Sequence, residues 1–160
     1  MSDFAASWNL SRGRFVDAVQ GLSKEQLNWR LHPDCLTIGE MAIHVAGVEI
    51  YFISQLLGID VGEEEQKIRA ASTDGVVNEK PFPFGPAEIT PEVVAAALSK
   101  AREMTEPIIT APSSQVKEKE IVSALGPLID GTGALARLAF HPGYHQGQAH
   151  LIKTAPGFPG

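Results

Sequence analysis

The chain has 160 residues, a formal charge of −6, and apolar and charged fractions of 44% and 20%. That is one soluble domain's worth of material, long enough to bury a core without disulfides. An acidic chain with no run of Lys and Arg gives no general attraction for phosphate backbones or anionic lipid, so neither nucleic acid nor a membrane is an expected partner.

The amino terminus, "MSDFAASWNLSRGRF", has neither a basic start nor an apolar run of signal length. Cys35 is the only cysteine, which leaves no internal disulfide and no Cys-x-x-Cys pair and suits a reducing compartment. Cytoplasm is therefore the expected location. From Asp3 to about Gly21, the residues Phe4, Trp8, Phe15, Val19 and Leu22 recur at helical spacing and predict a first helix, with Arg12, Arg14 and Asp17 on its outer face. Ser23 to Asn28 suits one further turn of helix, and Pro33 ends that segment.

"TIGE" marks the clearest helix start in the chain. Thr37 is placed at the N-cap and Glu40 at the third helical position, so each side chain satisfies a backbone N–H of the first turn. This second helix carries the stripe Met41, Val45, Val48, Phe52 and Leu56 and closes at Gly58. Its most apolar part, "MAIHVAGVEIYFISQLLG", contains His44 and Glu49, which points to a core helix and not a membrane span.

Residues 59–89 form a long connection, with a short helix expected at Glu63 to Ala71 and irregular backbone through "STDGVVNEKPFPFGP". A third helix starts at "TPE", where Thr90 caps and Pro91 takes the first helical position, and runs to about Ile109. "SSQVKEKEIV" offers a short strand or extended edge. The fourth helix is predicted from about Leu128 to Lys153, despite four glycines that cost roughly 1 kcal/mol each and Pro142, which costs roughly 3. Such a helix needs tertiary packing or a ligand. Four helices in one domain spanning 1–160 is the architecture that follows: an all-α bundle with one long middle connection.

Within the last helix, "FHPGYHQGQAHL" puts His141 and His145 on nearly the same face, one turn apart, the spacing at which two imidazoles reach one metal ion. The alternative is two ordinary hydrogen-bonding rings beside a proline bend, since Pro142 presses on the Leu138 carbonyl. Leu138, His141, His145, Gln148 and Ile152 form one stripe, so both rings are expected to face the core. His44 lies in the buried stripe of the second helix and joins them as a third inward histidine. His32, in the loop before Pro33, and His150, on the opposite side of the last helix, are set aside.

"LTIGEMAIHVAGVEIYF" followed by "HPGYHQGQAHL" closely resembles the DinB-like superfamily, including its YfiT-like metal-dependent hydrolases and thiol-dependent transferases. The resemblance implies a four-helix bundle in up-down-down-up order, with the long link between helices two and three. It also implies a divalent metal, zinc or nickel, held by His44, His141 and His145, and a homodimer. Pro142 departs from the family's usual pattern between the paired ligands.

Three neutral imidazoles leave coordination positions open on a divalent ion, a setting for hydrolysis or thiol transfer on a small-molecule substrate that includes a low-molecular-weight thiol. The competing reading is a non-catalytic metal-binding or interaction module that forms a homodimer. Glu40, one turn before His44, and Gln148, close to His145, are candidates to orient the rings. Tyr51 and Tyr144 are candidates to line a cavity, with ordinary packing as the alternative for each.

Overall fold

A computed structural model describes residues 2–160. Helix α1 (Asp3–Val19) is capped by Ser2, whose hydroxyl accepts the Ala5 N–H and donates to the Ile109 carbonyl of a distant helix. Its buried positions, Ala5, Trp8, Arg12, Phe15 and Val19, alternate steps of three and four and so form one inward face. Arg12 is the correction to the sequence reading: it is 6% exposed and belongs to that face. A short α2 (Lys24–Asn28) follows, opened by a Ser23/Gln26 capping box.

Helix α3 (Ile38–Leu57) starts at the expected capping box. Thr37 accepts the Glu40 N–H and Glu40 accepts the Thr37 N–H, an arrangement worth about 1 kcal/mol at the N-cap. Gly58 ends it at φ 66°, a left-handed conformation that residues with a Cβ adopt at a cost. This helix has the length and hydropathy of a membrane span, yet 83% of its apolar window is buried within the fold. It is surrounded instead by α1, α4 (Glu63–Ala70), α5 (Pro91–Thr110) and α7 (Gly131–Lys153). The α4 end approaches closely enough that a Cβ at Gly47 would lie 2.5 Å from the Ile68 carbonyl oxygen and 2.9 Å from the Ser72 nitrogen. Only glycine fits there.

Helix α5 begins at the predicted Thr90 cap with Pro91 in its first turn, and packs along α3. After α6 (Ser114–Glu118) the chain forms an antiparallel hairpin of β1 (Glu120–Val122) and β2 (Leu128–Asp130), with Ile121 opposite Ile129. The protein is mostly helical, as expected, with one small two-stranded sheet among the described residues, whose β1 falls at the end of the "SSQVKEKEIV" stretch that offered a strand. The same hairpin corrects the start of the last helix. Residues 128–130 pair as a strand, and Asp130 then caps α7 by accepting the Gly133 N–H at 2.7 Å.

Helix α7 runs unbroken through Pro142, which is buried. Pro142 has no N–H for the Leu138 carbonyl. One residue on, the Ala139 carbonyl accepts the Ser11 hydroxyl of α1 at 2.6 Å, so the neighbouring helix supports the backbone at the proline. Two apolar clusters fill the interior. Phe15, Ile43, Ile50, Leu98 and Ile152 belong to the first, and Trp8, Phe52, Ile53, Leu135 and Leu138 to the second.

Candidate metal centre

His44 lies on α3, buried at 4% exposure, facing the end of α4 on one side and α7 on the other. Its Nδ1 is 2.8 Å from the Ala71 carbonyl oxygen. A carbonyl only accepts, so Nδ1 carries the proton and Nε2 presents a bare lone pair. His145, on α7, repeats the pattern. Its Nδ1 is 2.7 Å from Gln148 Oε1, the amide orientation in which Gln148 Nε2 donates to the Tyr144 hydroxyl at 3.1 Å.

The third ring closes the group. His141 Nε2 is 3.1 Å from His44 Nε2 and 3.0 Å from His145 Nε2. The three rings cross at 67°, 81° and 83°, so they converge by their edges and do not stack. Nitrogens about 2.0–2.1 Å from a common ion stand roughly 2.9 Å apart at a right angle and roughly 3.4 Å apart at the tetrahedral angle. The observed separations fall within that interval. Without a cation the set is poorly satisfied: two Nε2 atoms are committed to the unprotonated form, and a single proton on His141 can serve only one of them. The donor set fits a divalent ion.

Electrostatics agree. Burial lowers the pKa of all three rings: His44 is lowered, with the Ala71 carbonyl opposing; His145 falls to about 4; and His141 falls well below the ordinary value, helped by its two neighbours. At neutral pH the rings are neutral ligands that release no proton on coordination.

The trio lines a cavity of about 760 Å³ whose walls include Met41, Val48, Phe52 and Ile152. Exposed apolar side chains, among them Leu31, Leu125, Phe140 and Leu151, surround its opening. Tyr144 and Gln148 line this cavity. Tyr51 does not: its ring lies under the Arg69 guanidinium, 5.2 Å away, and against Phe52. Glu40 does not reach His44 either. Its carboxylate is taken by the Thr37 N–H at 2.8 Å and by Arg30 at 2.6 Å. The residue that orients His44 is instead Ala71, through a backbone carbonyl that side-chain patterns do not reveal.

His150 is exposed, while His32 is exposed but borders the cavity mouth beside Cys35. Sequence reasoning also passed over Ser72 and Arg137. Ser72 Oγ is buried on the cavity wall with no hydrogen-bond partner among the described residues. Arg137 stands one turn before His141 on the same face, a spacing visible in the sequence.

Residues 7–149 match the DinB superfamily, and the chain belongs to that family. Among solved structures, the chain is similar to a conserved protein of Enterococcus faecalis at 14% identity and a TM-score of 0.68, over 94% of this chain and 92% of that one, a likeness of fold. Among curated proteins none matches.

Proposed function

We propose that this member of the DinB superfamily holds a divalent metal ion, zinc or nickel, through Nε2 of His44, His141 and His145, and acts on a small molecule as a metal-dependent hydrolase or low-molecular-weight-thiol transferase. The observation that carries this reading is the convergence of three imidazole Nε2 atoms, two of them fixed in the unprotonated form, on the wall of a large, mostly apolar cavity. A structural zinc site would close its coordination with a fourth protein group. Here the described residues bring together three.

A divalent ion in such a site supplies Lewis acidity, lowering the pKa of a water or a thiol toward neutrality. The chain's own residues do the rest. The Ala71 carbonyl and Gln148 fix the two flanking rings in the tautomer that leaves Nε2 bare. Met41, Val48 and Phe52 keep the surroundings apolar, which strengthens charge interactions inside. The Tyr144 side chain, whose hydroxyl is tied to Gln148, lines the same space and supplies a hydrogen bond to a bound small molecule.

The wider reading places the four long helices in an up-down-down-up bundle over a single domain of residues 1–160, in a cytoplasmic homodimer. The experiment is elemental analysis of gently purified protein beside His44→Ala, His141→Ala and His145→Ala, with turnover measured on ester, amide and thiol-plus-electrophile substrates. One ion per chain in the wild type, lost in each variant, and turnover that follows the metal are expected. Metal-free wild-type protein with its fold intact overturns the reading. Full occupancy without turnover assigns the site to a non-catalytic binding module.

A further inference from the structure

Arg137 lines the same cavity as the three histidines, one helical turn before His141 on α7. Its Nη1 donates to Ser123 Oγ at 2.6 Å, and that oxygen, on a residue only 1% exposed, also accepts the Leu125 N–H. The β1–β2 hairpin loop therefore holds the guanidinium from one side. Among the described residues no carboxylate lies within 4.0 Å of it; Asp34, the acidic residue on the cavity lining, makes no ion pair with it. Arg12, the buried arginine of the fold, is neutralised by Glu49, while the half-buried Arg69, also without a carboxylate partner among the described residues, lies over the Tyr51 ring and outside this cavity.

A guanidinium left without an anion in a partly buried, mostly apolar space is a recognition group with donors to spare. On a chain of net charge −6, the cavity wall thus carries a local positive charge that the rest of the surface opposes. One fixed cation matches a singly charged planar acid, and the apolar wall of Val48, Phe52 and Ile152 with the rim at Leu125 and Phe140 matches a hydrocarbon body.

We propose that Arg137, braced by Ser123, binds the carboxylate of an amphiphilic small-molecule acid and sets it beside His141. This names the substrate class of the cavity and rests on reading that cavity as a substrate site. One turn of helix separates Arg137 from His141, so the reacting group of the acid lies roughly 5–6 Å from its carboxylate.

The test titrates octanoate, 1-octanol and octyl phosphate into the full chain, both chelator-treated and zinc-loaded, with heat of binding as the readout. In chelator-treated protein octanoate is expected to bind at least about tenfold more tightly than 1-octanol, the scale of one charge-assisted pair. Arg137→Met removes that preference and leaves octanol binding and zinc stoichiometry unchanged. Arg137→Lys keeps part of it, because the charge remains while the fork is lost. Ser123→Ala weakens it less than Arg137→Met does, and gives an independent reading if that variant is unstable.

Wild-type octanoate affinity in Arg137→Met overturns the proposal. So does a preference that appears only with zinc and ignores position 137, or an Arg137-dependent preference for octyl phosphate over octanoate. Failure of zinc to bind would sink the metal reading alone, since the chelator-treated arm decides the role of Arg137 by itself.

Discussion

His44 and Glu49 are both buried polar residues on α3, and their surroundings end differently. Glu49 is enclosed: Oε1 accepts Trp8 Nε1–H at 2.9 Å and Arg12 Nε–H at 2.8 Å, Oε2 accepts Arg12 Nη2–H at 3.1 Å, and that same Nη2 donates to the Leu98 carbonyl. Charge meets charge and each carboxylate oxygen has a donor, joining α1, α3 and α5. The His44 group is satisfied only on its outer edge. At its centre, nitrogen lone pairs face one another with no donor able to serve them all. A closed polar cluster is architecture, whereas one that closes only on adding a cation is a binding site.

Glu49→Ala strikes the closed cluster hardest. It strands Arg12 in the interior, and the expected loss is about 3–5 kcal/mol of folding stability, read from the urea midpoint. Metal content per folded chain is expected to stay at the wild-type value. If stability instead barely moves, Arg12 has found water, and the two clusters are less different than their geometry indicates.

Gln148→Ala makes the complementary test at the open cluster. It removes the acceptor that fixes the His145 tautomer, so metal affinity is expected to fall about 10- to 100-fold, by competition with a chromophoric chelator. Folding stability without metal should change by less than about 1 kcal/mol, because Gln148 is half-buried and tied only to its own helix.

The smallest effect per unit is titration of the metal-free protein. The unfolded chain takes up protons near the ordinary imidazole value of 6.5, while folded His145 does so only near 4. Between those values the unfolded state binds more protons, so stability falls with falling pH, by up to roughly 1.4 kcal/mol per pH unit for this residue. The lowered His44 and His141 add in the same direction. Urea melts at pH 7, 6 and 5 measure the slope. It should persist in Glu49→Ala and shrink in His145→Ala.

Much of this comparison was legible beforehand on one side only. Local rules located α3, because a capping box and a left-handed glycine act within a few residues, and periodicity put three histidines inward from two separate helices. The same rules turned Arg12 outward. Nothing near it in the chain announces that Glu49, on another helix, will neutralise it in the interior. Glu40 was legible as a cap, and that role leaves its carboxylate no bond for His44. Its replacement, the Ala71 carbonyl, belongs to a backbone position that any residue would supply. Pro142 announced a bend within the last helix, and the contact that supports the backbone there, Ser11 on the Ala139 carbonyl, comes from the far end of the chain.

Gly47 gives the close approach of α4 a chemical meaning. It stands one turn beyond His44, and its hydrogen in place of a methyl group lets the segment from Ile68 to Ser72 settle against α3, bringing the Ala71 carbonyl to the His44 ring. A steric vacancy on one residue is thereby converted into the choice of tautomer on another.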